Sequence, residues 1–158
     1  MNVKKTEYII RPVREIDIKN IVELERACFS FPMSEGNVEK FLLGDSGIAF
    51  VCYEGKNEEK LCAYCGAICV LDEAQVLNVA TAPDRRRQGY GKMVTQTLIE
   101  AVKNKGITDM TLEVRVSNFA AQSLYKGLGF YEIGRIKNYY AKPTEDALIL
   151  KLDIQNKE

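Results

Sequence analysis

A strand-like run, a basic Gly-rich turn and a helix-like run follow one another at residues 76–105, and nothing else constrains this chain as tightly. Val76-Leu77-Asn78-Val79-Ala80-Thr81 reads as a buried strand that ends at Pro83, a residue with no ladder donor. Arg85-Arg86-Arg87-Gln88-Gly89-Tyr90-Gly91-Lys92 comes next, and residues 93–105 have the apolar spacing of an amphipathic helix. A turn that opens a helix gathers unpaired backbone N–H groups at the positive end of the helix dipole. Such a point is an anion site, and phosphate is its usual occupant. Gly89 and Gly91 allow the backbone close to the ligand, while the arginines supply local positive charge. The plain alternative is a solvated arginine face beside an ordinary turn. Two better-known phosphate motifs fail on spacing. A nucleotide P-loop lacks its first glycine at Arg86 and its hydroxyl residue at Met93, and a dinucleotide fingerprint lacks its third glycine at Val94.

Composition narrows the ligand. Lys plus Arg and Asp plus Glu number 22 each, so the basic character is local and favours a small anion over nucleic acid or an acidic membrane. At 158 residues and 46% hydrophobic, the chain fits one domain, 1–158, with a core at about residues 8–152. No leader-like segment opens it, and the apolar run at 61–71 is far shorter than the roughly 18 residues that span a bilayer. Five cysteines without an export signal point to a cytoplasmic chain with free thiols. Cys62-Ala63-Tyr64-Cys65 has CxxC spacing, but strand alternation sends its two thiols to opposite faces. With no histidine anywhere, Ser–His and Cys–His nucleophiles and His-ligated metal centres are excluded, and no metal is expected. A general base must come from a carboxylate, tyrosine, lysine, chain terminus or held water.

Hydropathy orders the elements. Residues 8–13 read as a strand, and Asp17 as the cap of a helix bearing Ile18, Ile21, Val22, Leu24 and Cys28. Ser34 caps a short second helix that ends near Gly44. Strands at 48–53, 61–71 and 76–81 form an antiparallel meander. After the helix that Gly106 closes come a strand at 110–115, a helix capped by Ser117-Asn118 and ended by Gly129, and strands at 130–136 and 147–152. The fold class is therefore α/β (α+β), a mixed and mostly antiparallel sheet.

Several motifs now stand in order. Arg86, Gly89 and Gly91 match the Q/R-x-x-G-x-G/A signature of the GNAT N-acetyltransferase superfamily, which the chain resembles. The likeness sharpens to the RimI type, the bacterial ribosomal-protein-alanine N-acetyltransferases. Phe31-Pro32-x-Ser34, Leu71-Asp72-Glu73-Ala74, Asn78, Leu112-Glu113-Val114-Arg115-x-Ser117-Asn118, Asn138-Tyr139-Tyr140 and Glu145-Asp146-Ala147 carry it. It covers residues 8–152. Met33 departs from the tryptophan of the best-known RimI sequences, and Ala82 replaces an acidic residue frequent before this proline.

The resemblance implies a GNAT fold with helices on both faces and splayed central strands. It implies acetyl-CoA as cosubstrate, its pyrophosphate on Arg87, Gln88, Gly89, Tyr90, Gly91 and Lys92 and its pantetheine along Val79, Ala80 and Thr81. Glu113 is the candidate base; its competing role is a salt bridge with Arg115 on the same strand face. Tyr125 is the candidate acid, seven residues beyond Asn118 and so on the same helix face. Asn118 has the double role of helix cap and cofactor contact. Phe31, Met33, Tyr139 and Tyr140 are candidates for the substrate slot.

An α-amine with pKa near 8 is roughly one-tenth neutral at pH 7, whereas a lysine near 10.4 is almost wholly charged. The expected activity is direct acetylation of a protein N-terminus, a ribosomal protein with N-terminal alanine, by a monomer or weak homodimer. The competing readings are acetylation of a lysine or small amine, and a non-catalytic CoA-binding module.

Overall fold

The structure, a computed structural model, describes residues 7–154. Its seven strands are β1 (Tyr8–Pro12), β2 (Gly47–Glu54), β3 (Lys60–Val70), β4 (Glu73–Thr81), β5 (Asp109–Arg115), β6 (Tyr131–Tyr140) and β7 (Glu145–Asp153). The helices are α1 (Ile18–Cys28), α2 (Glu35–Leu42), α3 (Tyr90–Asn104) and α4 (Phe119–Gly127). All strands join one sheet in the order β1-β2-β3-β4-β5-β7-β6. Every neighbouring pair is antiparallel except β4 with β5. No helix among the described residues is long and apolar enough to cross a membrane.

The parallel contact creates the site. β4 and β5 pair over Glu73–Asp109, Ala74–Met110 and Gln75–Thr111 and no further. Beyond Gln75, β4 has a partner only on its β3 side, so a cleft opens between the two central strands. One layer of core lies under α3 and α4 and includes Val94, Leu98, Met110, Leu112 and Leu150. The other lies under α1 and α2 and includes Ile21, Val38, Val51 and Tyr64.

The element order and most boundaries match the hydropathy reading. Ser34 does cap α2, accepting from Asn37 N at 3.2 Å. Asp17 does occupy the N-cap position of α1, but its carboxylate bonds no amide of that helix. Its carboxylate takes both guanidinium arms of Arg11 at 2.8 Å, the Tyr53 hydroxyl at 2.7 Å and Arg14 N–H, pinning β1 to β2 and the start of α1. Nor do Cys62 and Cys65 face apart. The register passes from Cys52–Ala63 to Tyr53–Leu61, so Cys62 is the extra residue of a bulge. The bulge breaks the alternation, and both thiols enter the α3 core, free and buried.

Candidate active site

The cleft between β4 and β5 holds a cavity of about 400 Å³. Residues 28–31 at the end of α1, 76–79 of β4 and 112–115 of β5 line it, with Asn118 at the cap of α4, Ala121 and Tyr125 from α4 and Tyr139 and Tyr140 from β6. Glu113 sits half-buried on its β5 wall. The alternation on β5 buries Met110, Leu112 and Val114 under α3 and α4 and leaves Glu113 on the other face. Helices on both faces would have covered that side chain. Here α1 and α2 pack against β2, β3 and β4, which leaves Glu113 facing the cavity.

The competing salt bridge is not made. Arg115 instead donates to Glu145 at 3.1 Å and to the carbonyls of Ala141 and Pro143, and its guanidinium lies 4.4 Å from the centre of the Tyr140 ring. Glu145 in turn accepts from Ser117 N–H at 2.7 Å. This knot holds the β6–β7 turn, and with it Tyr139 and Tyr140, against the cavity. Among the described residues the one side chain that bonds Glu113 is Gln75 on the facing strand, whose Nε2 lies 3.3 Å from Oε1. Burial and the Glu113 charge together push the Tyr140 hydroxyl up to about 12.

Tyr125 enters from α4 and is 7% exposed, its ring edge-on to Phe130 at 5.7 Å. Burial raises its hydroxyl well above the ordinary phenol range. That hydroxyl has no partner among the described residues, yet it is not sealed from the cavity. Asn118 caps α4 through its carbonyl, which accepts from Ala121 N at 3.1 Å, and its amide NH₂ remains available on the cavity wall. Gln122 locks the β5–α4 turn by donating to the carbonyls of Arg115 and Val116.

At the far end of β4 the Gly-rich turn leads into α3. Gly89 lies in the left-handed region at φ 87°, and nothing stands within 4 Å of where a Cβ would point. Arg87 also takes a positive φ, 64°. Gly91 has a different reason to be glycine, because a Cβ there would meet Thr81 Oγ1 at 3.0 Å. The turn therefore packs against the end of β4 with the first amides of α3 free of intrahelical partners. The three arginines are not equivalent. Arg85 is committed to Glu54 at 2.6 Å, and Glu54 also accepts from Tyr90, so this arginine anchors the turn and is not counted toward an anion. Arg86, Arg87 and Lys92 are exposed, with no carboxylate partner among the described residues.

The open edge of β4, the free amides at the start of α3 and the unpaired cations fit a phosphorylated group carried on an extended arm. Val79 lines the cavity, while Ala80 is buried and Thr81 half-buried. Phe31, Tyr139 and Tyr140 reach the cavity, but Met33 packs into the α1–α2 core and is not on its wall.

The acetyltransferase (GNAT) family profile matches residues 18–130. The chain belongs to that family. It is an N-acetyltransferase, and acetyl-CoA is the acyl donor on which the family's acetyltransferases draw. The [ribosomal protein bS18]-alanine N-acetyltransferase of Salmonella typhimurium is 36% identical over 140 residues, 87% of this chain and 92% of that protein. Its Escherichia coli K12 counterpart is 35% identical over 149 residues, 92% and 97% of the two chains. The crystal structure of the Escherichia coli ribosomal-protein-S18-alanine N-acetyltransferase superposes with a TM-score of 0.86 at 33% identity, covering 96% of this chain and 97% of that one. A chain from the NatC complex bound to Gag peptide and CoA shares the fold, with a TM-score of 0.85 at 21% identity over 94% and 99%.

Sequence reasoning missed Gln75 and the Arg115–Glu145 knot. Each depends on which strands become neighbours, and no local spacing reports that.

Proposed function

We propose that this chain acetylates the α-amine of a protein N-terminus in the cytosol, its target a ribosomal protein that begins with alanine. The observation that carries the reading is Glu113. This carboxylate has no cation partner among the described residues and faces an open cleft that Tyr125 enters from the opposite helix layer. The printed activity of the Salmonella and Escherichia coli relatives supports the choice of target.

Acetyl-CoA supplies an activated thioester. Arg87, Gln88, Gly89, Tyr90, Gly91 and Lys92 hold its phosphates through backbone amides and local charge. Val79, Ala80 and Thr81 offer the free β4 edge to its arm, and the Asn118 amide adds a contact. Backbone N–H groups of that edge stabilise the carbonyl oxygen as it gains charge. Glu113 takes a proton from the incoming ammonium, which frees the nitrogen lone pair. Tyr125 holds its own proton until sulfur departs and needs one. Phe31, Tyr139 and Tyr140 shape the entrance for the peptide. The thiol of Cys28 on the cavity wall donates to the Thr81 carbonyl and burial raises it, so it is not an activated nucleophile and the transfer is direct.

Two matched peptides test the reading through CoA release. One carries a free N-terminal alanine and no lysine, the other a blocked N-terminus and one internal lysine. Turnover confined to the first peptide is expected. Turnover confined to the second would leave the family intact and overturn the N-terminal assignment.

A further inference from the structure

Glu25 and Asn78 have no part in the chemistry above, yet they form a built unit against its cavity. The β3–β4 register passes from Gly66–Asn78 to Ala67–Val76, so Leu77 is the extra residue of a bulge. Ala74 and Val76 enter the core under α3, and strict alternation would send Asn78 there too. The bulge turns Asn78 to the opposite face, the face of Glu113. There its Nδ2 donates at 2.6 Å to Oε1 of Glu25, a carboxylate on α1 with 0% exposure. The Tyr64 hydroxyl donates to the same oxygen. Glu25 has no cation partner among the described residues, and its Oε2 is sealed without a hydrogen bond.

Oε1 accepts from the Tyr64 hydroxyl and from the NH₂ end of the asparagine, and this pair of bonds fixes the amide in one sense. With Nδ2 held by Glu25, the amide oxygen is the end left over. Oδ1 has no partner among the described residues, is not sealed, and belongs to a residue that lines the cavity opposite Glu113. The two walls of the cleft thus present acceptors, and the arriving group that matches acceptors on both sides is a primary ammonium with its three N–H bonds. A hydroxyl, or an amine already acylated, offers only one.

We propose that Asn78 Oδ1 accepts an N–H of the substrate's primary amine across the cleft from Glu113, and that Glu25 is the positioning residue that orients this amide. The inference rests on the N-terminal acetyltransferase reading. On arrival the ammonium gives one proton to Glu113; of the two N–H bonds that remain, Asn78 holds one, which aims the lone pair along the cleft.

The test compares the alanine peptide with its des-amino analogue, which carries propionyl in place of alanine and acts as a competitive inhibitor. Asn78→Ala should raise the peptide KM about tenfold or more, the worth of one hydrogen bond to a charged group. It should leave the inhibition constant of the analogue and the affinity for acetyl-CoA within twofold of wild type. Glu25→Gln keeps an oxygen that accepts from both Tyr64 and Asn78, so its KM should stay near wild type, whereas Glu25→Leu should repeat the Asn78→Ala pattern. Equal weakening of peptide and analogue, or an unchanged KM in Asn78→Ala, overturns the proposal. If Glu25→Leu does not fold, Asn78→Ala and Glu25→Gln decide alone. A wild type that turns over neither peptide defeats the functional reading first, and this inference with it.

Discussion

Tyr125 shows how burial shapes a proton donor. Removal from water disfavours the phenolate, so the hydroxyl stays protonated well past the ordinary phenol range. It is then a poor donor to water, and it serves the thiolate formed beside it because the same dry cavity disfavours that charge too. The peptide arrives as the ammonium that gives its proton to Glu113, so kcat/KM for the alanine peptide should fall with pH as the free α-amine loses its proton near pH 8, in wild type and Tyr125→Phe alike. A fall beginning below pH 10 that disappears in Tyr125→Phe would contradict the assignment. Tyr125→Phe itself should lower kcat about a hundredfold, the lower end of what a positioned acid contributes, with little change in KM.

The start of α3 makes an element-scale point, because three demands meet there. Gly89 supplies a left-handed cap, Gly91 lets the first turn approach Thr81, and Arg85 ties the turn to Glu54 on β2. Gly89→Ala should cost about 1 kcal/mol through its positive φ. It should lower Tm by about 2–4 °C and weaken acetyl-CoA binding. A calorimetric melt with and without acetyl-CoA checks both. This region was legible in the sequence because strand, glycine spacing and helix are neighbours along the chain. The α1–α2 break and the Ser34 cap were legible for the same reason. What the sequence hid is pairing at a distance. The Leu77 bulge that turns Asn78, the Cys62 bulge that brings two thiols to one face, and the meeting of Gln75 with Glu113 are all set by strand register. Asp17 sits at the helix start as a cap does, but strand pairing brings Arg11 and Tyr53 to its carboxylate in place of the helix amides.

Across the whole molecule, two buried carboxylates pull stability in opposite directions with pH. Burial works to raise the Asp17 carboxyl, but Arg11, the Arg14 amide and Tyr53 outweigh it and hold it below its ordinary value. Its contribution is present above the unfolded pKa near 3.9 and is lost as pH falls through the lower folded value. Burial raises the Glu25 carboxyl against the hydrogen bonds of Tyr64 and Asn78. Its contribution is full below the unfolded pKa near 4.3 and is lost as pH rises through the folded value. Denaturant melts of Glu25→Gln should therefore be flatter than wild type above about pH 4.3, and at pH 7 the variant should be at least as stable. Asp17→Asn should flatten the acid limb instead. The central claim concerns the cleft, where the sheet trades a complete β4–β5 ladder for a cavity with a carboxylate on its wall. The direct measurement is CoA release by Glu113→Gln on the alanine peptide, taken beside its affinity for acetyl-CoA. The account predicts a loss of kcat/KM of about a hundredfold or more with that affinity unchanged. Turnover within about threefold of wild type would place the base elsewhere and contradict it.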